Sequence, residues 1–139
     1  TTLTAVVLDG DTARITHVGD ARVWLVRDGG VRQVTHDHTV VAALIEAGQL
    51  DADEARSHEH RNLLNRALTP GVVADEVVVD LRPGDRLVLT TDGVHGVLED
   101  RRMADILASG SPEFAAIELV RASLEADARS PSSSQERLA

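Results

Sequence analysis

The sequence predicts an α+β fold on three observations. The first third of the chain consists of short β-rich runs that alternate with glycine-containing turns. Two further β-rich runs follow in the middle, and the last third repeats its apolar residues with the period of an α-helix. The chain has 139 residues, which is enough for one domain with an apolar core and too few for two.

Four strands are predicted in the first third, and they are expected to form an antiparallel meander. Asp9-Gly10-Asp11 and Asp28-Gly29-Gly30 separate these strands in two places, and such residues favour the positive φ angles of tight hairpins. A Pro-Gly turn at residues 82–85 joins two later strands, which are predicted to pair with each other. The predicted strands are residues 2–8, 13–18, 22–27, 31–34, 76–81 and 86–90.

Four helices are predicted from apolar periodicity and from capping residues. The first begins at Thr39 and ends near Gly48, and the second begins at Asp51 with a glutamate three residues on, the spacing of a capping box. The third begins at Asp100, and the fourth follows Ser111. The side chains expected to face inward from the last two helices are Met103, Ile106 and Leu107, then Phe114, Ile117, Val120 and Leu124.

The composition excludes several kinds of catalytic chemistry. Cysteine is absent and all fourteen basic residues are arginine, so cysteine nucleophiles, cysteine zinc sites and lysine Schiff bases cannot form. A formal net charge of −9, with Trp24 and Phe114 as the only indole and phenyl rings, argues against a nucleic-acid partner. No serine lies in a Gly-x-Ser-x-Gly context. The chemistry that remains is water activated by a metal held on carboxylates.

Membrane and targeting signals are not found in the sequence. No apolar run approaches the roughly 20 residues that a membrane span needs, and no basic leader followed by an apolar run opens the chain. The sequence therefore predicts a cytoplasmic domain without a membrane partner. The polar residues 129–139 have no apolar period and are predicted to be a disordered tail.

Asp92 and Asp20 are the candidate metal ligands. Asp92 ends an apolar strand and precedes a glycine, which lets its carboxylate emerge at the end of the sheet, where a hard divalent cation prefers oxygen donors. The alternative for Asp92 is an ordinary Asp-Gly turn that ends the strand. The alternative for Asp20 is a turn carboxylate paired with Arg22.

The histidines offer a second, weaker metal hypothesis. Two i, i+2 pairs could place both rings on one side of a strand and hold zinc, although surface histidines are the alternative. These pairs are His36 with His38 and His58 with His60. His17 is expected to be a half-buried hydrogen-bonding partner, and His95 a loop residue close to Asp92.

Five segments, taken in order and spacing, resemble the bacterial metal-dependent serine/threonine protein phosphatases of type 2C. They include Gly19-Asp20-Ala21-Arg22 and Thr90-Thr91-Asp92-Gly93, with Ala21 and Thr91 where the family has serine. The resemblance implies a β-sandwich flanked by helices in α-β-β-α layers, with the first and last parts of the family domain lacking. The segments are residues 1–5, 17–22, 35–38, 61–68 and 83–94.

The resemblance also implies a function and assigns residues to it. The family hydrolyses phosphoserine and phosphothreonine in proteins through water held between two manganese or magnesium ions. By this resemblance Asp92 is a core metal ligand, Asp20 helps to hold a third, weaker metal, and Arg22 is structural. Residues 1–128 are expected to be a partial catalytic domain with residues 39–66 as a flap-like insert. The expected partners are a phosphoprotein substrate and a serine/threonine kinase.

Two departures from the family pattern affect the expected activity. The family's Asp-Gly-x-Gly-Gly and Asp-Asn motifs, which carry other core ligands, do not occur in the 139 residues. The chain alone is therefore expected to have negligible phosphatase activity and to be an incomplete copy of the catalytic domain. The alternative is a pseudophosphatase-like module that binds a phosphoprotein or a kinase without turnover.

Overall fold

The computed structural model describes residues 1–129, which form two compact units. Unit 1 comprises Thr1–Arg22 and Gln33–Pro83, and unit 2 comprises Val23–Arg32 and the chain from Gly84 onward. The predicted tail at residues 129–139 lies, apart from Arg129, outside the described residues. The strands are β1 Leu3–Asp9, β2 Thr12–Val18, β3 Arg22–Arg27, β4 Gly30–Gln33, β5 Asp75–Asp80 and β6 Arg86–Thr90. The helices are α1 Val40–Glu46, α2 Ala52–Ser57, α3 Asp92–His95, α4 Asp100–Ala108 and α5 Pro112–Ala128.

The sheet of unit 1 has the order β1-β2-β5, and both strand pairs are antiparallel. β1 and β2 form the predicted hairpin, in which Asp9 pairs with Thr12 and Gly10 adopts a φ of 60°. β2 is the central strand, and its residues Ala13 and Ile15 are buried. Val79 and Val77 of β5 lie opposite these two residues, so one face of the sheet is a continuous apolar surface.

The predicted meander and the predicted pairing of the two later strands are both wrong. β2 pairs with β1 and β5, whereas β3 belongs to a second sheet with the order β4-β3-β6. β5 and β6 therefore lie in different sheets although only residues 81–85 separate them. A two-residue turn specifies a hairpin locally, but it does not determine which distant strand completes the sheet, because that depends on matching side-chain faces.

The two helices of unit 1 begin at the predicted caps. The Thr39 hydroxyl accepts the backbone N–H of Ala42 at the start of α1. Asp51 caps α2 in a capping box with Glu54, which satisfies two backbone N–H groups that would otherwise lack partners. An isolated antiparallel bridge joins Thr39 to Leu64, so the two ends of the helical segment lie side by side.

Unit 2 combines the sheet β4-β3-β6 with α3, α4 and α5. The predicted hairpin between β3 and β4 is present, with positive φ angles at Asp28 and Gly29. α4 has the predicted inward face, with N-cap Glu99 rather than Asp100. Among residues 1–129, no helix has both the length and the apolarity to cross a membrane. The buried core of unit 2 is Trp24, Val26, Leu98, Met103, Ile106, Leu107, Leu119 and Ala122.

The inward face predicted for α5 is wrong, although the helix itself and its Ser111 cap are confirmed. All four side chains predicted to be buried are exposed, Ile117 to 70%. The buried face instead combines Leu119, which is 4% exposed, with small residues. Small side chains let the helix approach its neighbours closely, and a search for large apolar residues overlooks such a face. The exposed residues are Phe114, Ile117, Val120 and Leu124, and the buried ones are Ala115, Leu119, Ala122 and Ser123.

Two alanine substitutions on α5 distinguish the observed face from the predicted one. Leu119→Ala should lower the free energy of unfolding by about 2–5 kcal/mol, because it opens a cavity in the core of unit 2. Ile117→Ala should change it by no more than about 0.5 kcal/mol, because the side chain is already in solvent. Urea denaturation of the two variants and the wild type measures both values. The reverse ranking would contradict the orientation of α5.

Candidate functional site

Asp92 lies where the sequence places it, immediately after the last residues of β6. Thr91 is extended and forms the N-cap of α3, and Asp92 is the exposed first residue of that helix. Asp92 therefore begins a helical turn directly after the strand. Gly96 donates its N–H to the Asp92 carbonyl at 2.7 Å. A Cβ at position 96 would lie 2.5 Å from that oxygen, so the close approach requires glycine.

A buried chain of hydrogen bonds lies just before Asp92. The indole N–H of Trp24 donates to Thr90 Oγ1 at 2.9 Å, and Thr90 Oγ1 lies 3.1 Å from Nδ1 of His95. Since the indole can only donate, the Thr90 oxygen accepts from it and its hydroxyl can donate to His95. His95 is buried on α3, so the prediction of a loop histidine is wrong. These three side chains fix the end of β6 to His95, the last residue of α3.

Asp20 lies in the turn between β2 and β3, in unit 1, and is partly buried. The preceding Gly19 has a φ of 120°, and a Cβ there would lie 2.4 Å from the Thr2 methyl group. Only glycine fits this position. The bidentate partner of Arg22 is Asp37, with N–O distances of 3.0 and 2.6 Å. Arg22 therefore forms an ion pair with Asp37 in the folded chain.

His38 is buried, so the prediction that it lies on the surface is wrong. Its Nδ1 accepts the backbone N–H of Gly19 at 3.0 Å, and its Nε2 lies 2.8 Å from the Asp75 carboxylate. Because Nδ1 is an acceptor here, Nε2 carries the proton and donates it to Asp75. Arg66 donates to the other Asp75 oxygen at 2.6 Å. Asp75 and Arg66 were not identified from the sequence, since nothing in their local pattern marks them.

His17 is fully buried, more so than the half-buried position predicted for it. Thr4 Oγ1 lies 2.9 Å from its Nδ1, and its Nε2 donates to the carbonyl of His36 at 3.0 Å. Because a carbonyl can only accept, Nε2 of the ring carries a proton. Burial lowers the pKa of His17 below its ordinary value, and the neighbouring His38 ring, 4.9 Å away between centroids, lowers it further.

Asp75 is the charged end of this network. The hydrogen bond from His38 holds the pKa of the Asp75 carboxyl below its ordinary value, and the Arg66 hydrogen bond adds to the effect. A carboxylate that accepts donors from two sides is stabilised in its ionised form. The network therefore joins a buried histidine pair to an ion pair at the surface of unit 1.

The histidine pairs do not form the zinc site of the second hypothesis. Both ring nitrogens of His38 are within hydrogen-bonding distance of other groups, and its ring centroid lies 6.4 Å from that of His36. The rings of His58 and His60 are 5.6 Å apart, on partly or fully exposed residues. Residues 1–129 contain no group of three or more His, Cys, Asp or Glu side chains placed to hold a metal ion.

The same result bears on manganese and magnesium. Carboxylates are the donors that these hard ions prefer, so Asp20 and Asp92 have the right chemistry. Asp20 belongs to unit 1 and Asp92 to unit 2. The part of the chain that the structure describes gathers no ligand group of three around either residue.

Comparisons with known proteins identify the family. A family model described as protein phosphatase 2C matches residues 1–126. The chain belongs to the protein phosphatase 2C family. The resemblance found in the sequence is thereby confirmed, as is the α+β fold with two small antiparallel sheets.

Two relatives show how much of a family member's length this chain covers. It is 38% identical over 108 residues to the serine/threonine protein phosphatase PstP of Mycobacterium tuberculosis, covering 77% of this chain and 21% of the relative. It is 38% identical over 111 residues to a putative protein phosphatase 2C-type of Streptococcus pyogenes, covering 78% of this chain and 45% of the relative. The chain thus spans less than half the length of these relatives.

Solved structures of similar proteins match this chain in fold over about half of their own length. The chain matches the crystal structure of the Mycobacterium tuberculosis phosphatase PstP/Ppp with a TM-score of 0.86 and 34% identity, over 90% of this chain and 54% of that one. A PstP catalytic domain in complex with two manganese ions matches with a TM-score of 0.81 and 32% identity, over 90% and 52%. About half of each solved chain is therefore represented here.

The stability of this phosphatase 2C chain should fall as the pH is lowered through 6.5. An unfolded chain takes up a proton on His17 near its ordinary pKa of 6.5, whereas the folded chain does not until a lower pH. The free energy of unfolding should therefore fall by up to about 1.4 kcal/mol per pH unit from this residue. Asp75 adds a second loss below its ordinary pKa of 3.8.

Urea titrations between pH 7 and pH 5 measure the effect of His17. The His17→Gln variant has no imidazole at this position, so its stability should depend less steeply on pH than that of the wild type. An NMR titration of the His17 ring in the wild type should give a midpoint below 6.5. An equally steep dependence in both proteins would contradict the assignment.

Proposed function

We propose that this chain is part of a metal-dependent phosphatase that hydrolyses phosphoserine and phosphothreonine in proteins. The observation that carries the proposal is the family match over residues 1–126. The similar proteins support the substrate class, because PstP of Mycobacterium tuberculosis and Stp of Listeria welshimeri are both described as serine/threonine phosphatases. A phosphoprotein is then the substrate, a serine/threonine kinase is a further partner, and the cytoplasm is the proposed location.

Asp92 and Asp20 are the proposed metal ligands of this chain. The manganese complex of a similar PstP catalytic domain supports Mn²⁺ or Mg²⁺ as the ion. Bound in pairs, such ions lower the pKa of a water molecule and neutralise charge on a phosphoryl group. Residues 1–129 gather no group of three or more such ligands, so the two aspartates are proposed as part of a larger ligand set.

The chain's own residues hold the proposed ligands in place. Thr90 and His95 join the end of β6 to α3, and this junction presents Asp92 to solvent. Residues 39–66, closed by the bridge between Thr39 and Leu64, are the proposed flap-like insert. A loop carried on rigid strands is the usual place for groups that contact a substrate.

The isolated chain of 139 residues should not act as a phosphatase. Incubated with manganese and a phosphothreonine peptide, it should release phosphate no faster than a sample without enzyme, because residues 1–129 contain no group of three or more His, Cys, Asp or Glu side chains placed to hold a metal ion. The catalytic domain of Mycobacterium tuberculosis PstP, assayed in parallel, serves as the positive control. Manganese-dependent turnover by the chain would contradict this expectation.

The lack of a three-ligand group among residues 1–129 also favours a second candidate function for the chain alone. A pseudophosphatase-like module would bind a phosphoprotein or a kinase and leave it intact. Fluorescence anisotropy with a labelled phosphothreonine peptide distinguishes the two functions, with the unphosphorylated peptide as the control. Saturable binding that depends on the phosphate, without turnover, would favour the binding module.

A chimera tests the enzymatic proposal directly. Residues 1–126 would replace the matching half of the Mycobacterium tuberculosis PstP catalytic domain, and the chimera should hydrolyse a phosphothreonine peptide in the presence of manganese. Asp92→Asn should lower kcat by about 100-fold or more, or about 2.7 kcal/mol in barrier height, because it removes a metal ligand. Asp105→Asn, at an exposed acid on α4, is the matched control. Equal activity of the Asp92 and Asp105 variants would contradict the role of Asp92.

A further inference from the structure

We infer that the Asp75 carboxylate clamps both ends of the insert, residues 39–66, and that releasing this clamp lets the insert open while the sheet of unit 1 stays folded. His38 immediately precedes the insert, and Arg66 ends it. Both side chains donate to Asp75, the first residue of β5. All of these residues belong to unit 1. Neither a metal ion nor a substrate takes part, so the clamp is independent of the proposed phosphatase function.

The two ends of the insert pair with each other in a short antiparallel neck, formed by residues 38–40 and 63–65. Thr39 lies opposite Leu64 in an isolated bridge, and one backbone hydrogen bond lies on each side of that bridge. A two-stranded pair is at best marginally stable in water by itself, so the neck depends on the contacts that hold its ends. The two bonds join the N–H of Val40 to the Leu63 carbonyl at 2.9 Å and the N–H of Asn65 to the His38 carbonyl at 3.0 Å.

Beyond the neck, residues 41–62 form a helical lobe with little core of its own. α1 packs against α2 within this lobe. Val41 and Ala55 are its buried residues, and its other residues are partly or fully exposed. A region with few buried apolar contacts opens at a lower free energy than the core of a protein. The helical lobe is therefore expected to open before the sheet of unit 1 does.

Asp75 accepts one hydrogen bond on each of its carboxylate oxygens. Nε2 of His38 donates to Oδ2 at 2.8 Å, and Nη1 of Arg66 donates to Oδ1 at 2.6 Å. These two nitrogens lie 3.1 Å from each other. Because Nδ1 of His38 accepts from the Gly19 N–H, Nε2 is a donor like Nη1, and the two cannot hydrogen-bond to each other. The shared carboxylate therefore holds the two donors, and with them the two ends of the insert, together.

The two halves of the clamp differ in burial. The His38 side chain is 3% exposed, whereas those of Asp75 and Arg66 are 37% and 40% exposed. Exposed ion pairs contribute little to stability, because water and salt screen them. A charge-assisted hydrogen bond to a buried group is stronger. Loss of the whole clamp is therefore expected to release the insert more than loss of the Arg66 bond alone.

Native-state hydrogen exchange of the full chain, followed by NMR, measures the opening of the helical lobe separately from that of the sheet. The amides of Ala47 and Ala55 report on the lobe, because both are hydrogen-bonded within it, and the amides of β2 report on the sheet. In the wild type the lobe amides should exchange faster than those of β2. Asp75→Asn should raise the lobe rates by about tenfold, because a single amide oxygen cannot replace both carboxylate oxygens. It should leave the β2 rates within about twofold.

Two further variants separate the clamp from a general loss of charge. Glu76→Gln removes a carboxylate from an exposed neighbouring position of β5, and it should leave the lobe rates unchanged. Arg66→Gln keeps the bond between His38 and Asp75, so it should raise the lobe rates by only about threefold.

A disulfide across the neck tests whether Asp75 acts through the neck. The chain contains no cysteine, so Thr39→Cys together with Leu64→Cys introduces a single pair at opposite positions of the bridge, where Cβ atoms are close enough to be joined. In the reduced protein, Asp75→Asn should still raise the lobe rates. In the oxidised protein its effect should fall below about twofold. The lost Thr39 cap is common to both forms, so it does not affect the comparison.

Three results would overturn the inference. Lobe rates in Asp75→Asn equal to those of the wild type would show that the carboxylate does not hold the insert. Equal increases in the lobe and in β2 would show that Asp75 stabilises unit 1 as a whole. An undiminished effect of Asp75→Asn after oxidation would show that it acts elsewhere than on the neck. If Asp75→Asn does not fold, Arg66→Gln replaces it, and either unchanged lobe rates or a matching increase in β2 would then contradict the clamp.

Discussion

Buried polar side chains have to find partners inside the protein, and this requirement shapes the ends of the strands in both units. His17 and His38 lie buried in unit 1, and Thr90 and His95 lie buried in unit 2. A polar group taken out of water without a hydrogen bond destabilises the fold by an amount comparable to a lost core side chain. Among the described residues, no buried side-chain nitrogen or oxygen lacks a partner. Two of these partners lie next to candidate ligands: Gly19, bonded to His38, precedes Asp20, and Thr90, bonded to His95, lies two residues before Asp92.

The features predicted correctly from the sequence are those that neighbouring residues determine. The two hairpins follow from glycine-containing turns, and the capping box of Asp51 and Glu54 follows from a spacing of three residues. The positions of Asp92 and Asp20 at the ends of strands follow from the same local patterns. The family resemblance adds the proposed substrate class and the proposed metal, which stay predictions for this chain.

The features that were missed depend on residues far apart in the chain. His38 is paired with Gly19 and Asp75, and Arg22 with Asp37, across separations of 15 to 37 residues. The short-range periodicity of the sequence does not indicate which distant residues pair. The predicted face of α5 is wrong for a related reason. Its buried side combines Leu119 with small residues such as Ala115, and most of its larger apolar side chains are exposed. Size alone does not indicate which side of a helix meets the core.

Trp24 gives unit 2 an optical signal of its own. It is the only tryptophan in a chain without tyrosine, so emission excited in the near ultraviolet comes almost entirely from one indole. That indole lies in the core of unit 2 and donates its N–H to Thr90, two residues before Asp92. Unit 1 has no comparable chromophore among its residues. Tryptophan emission therefore follows the integrity of one unit, and circular dichroism of the backbone follows both, so comparing them shows whether the two units unfold together.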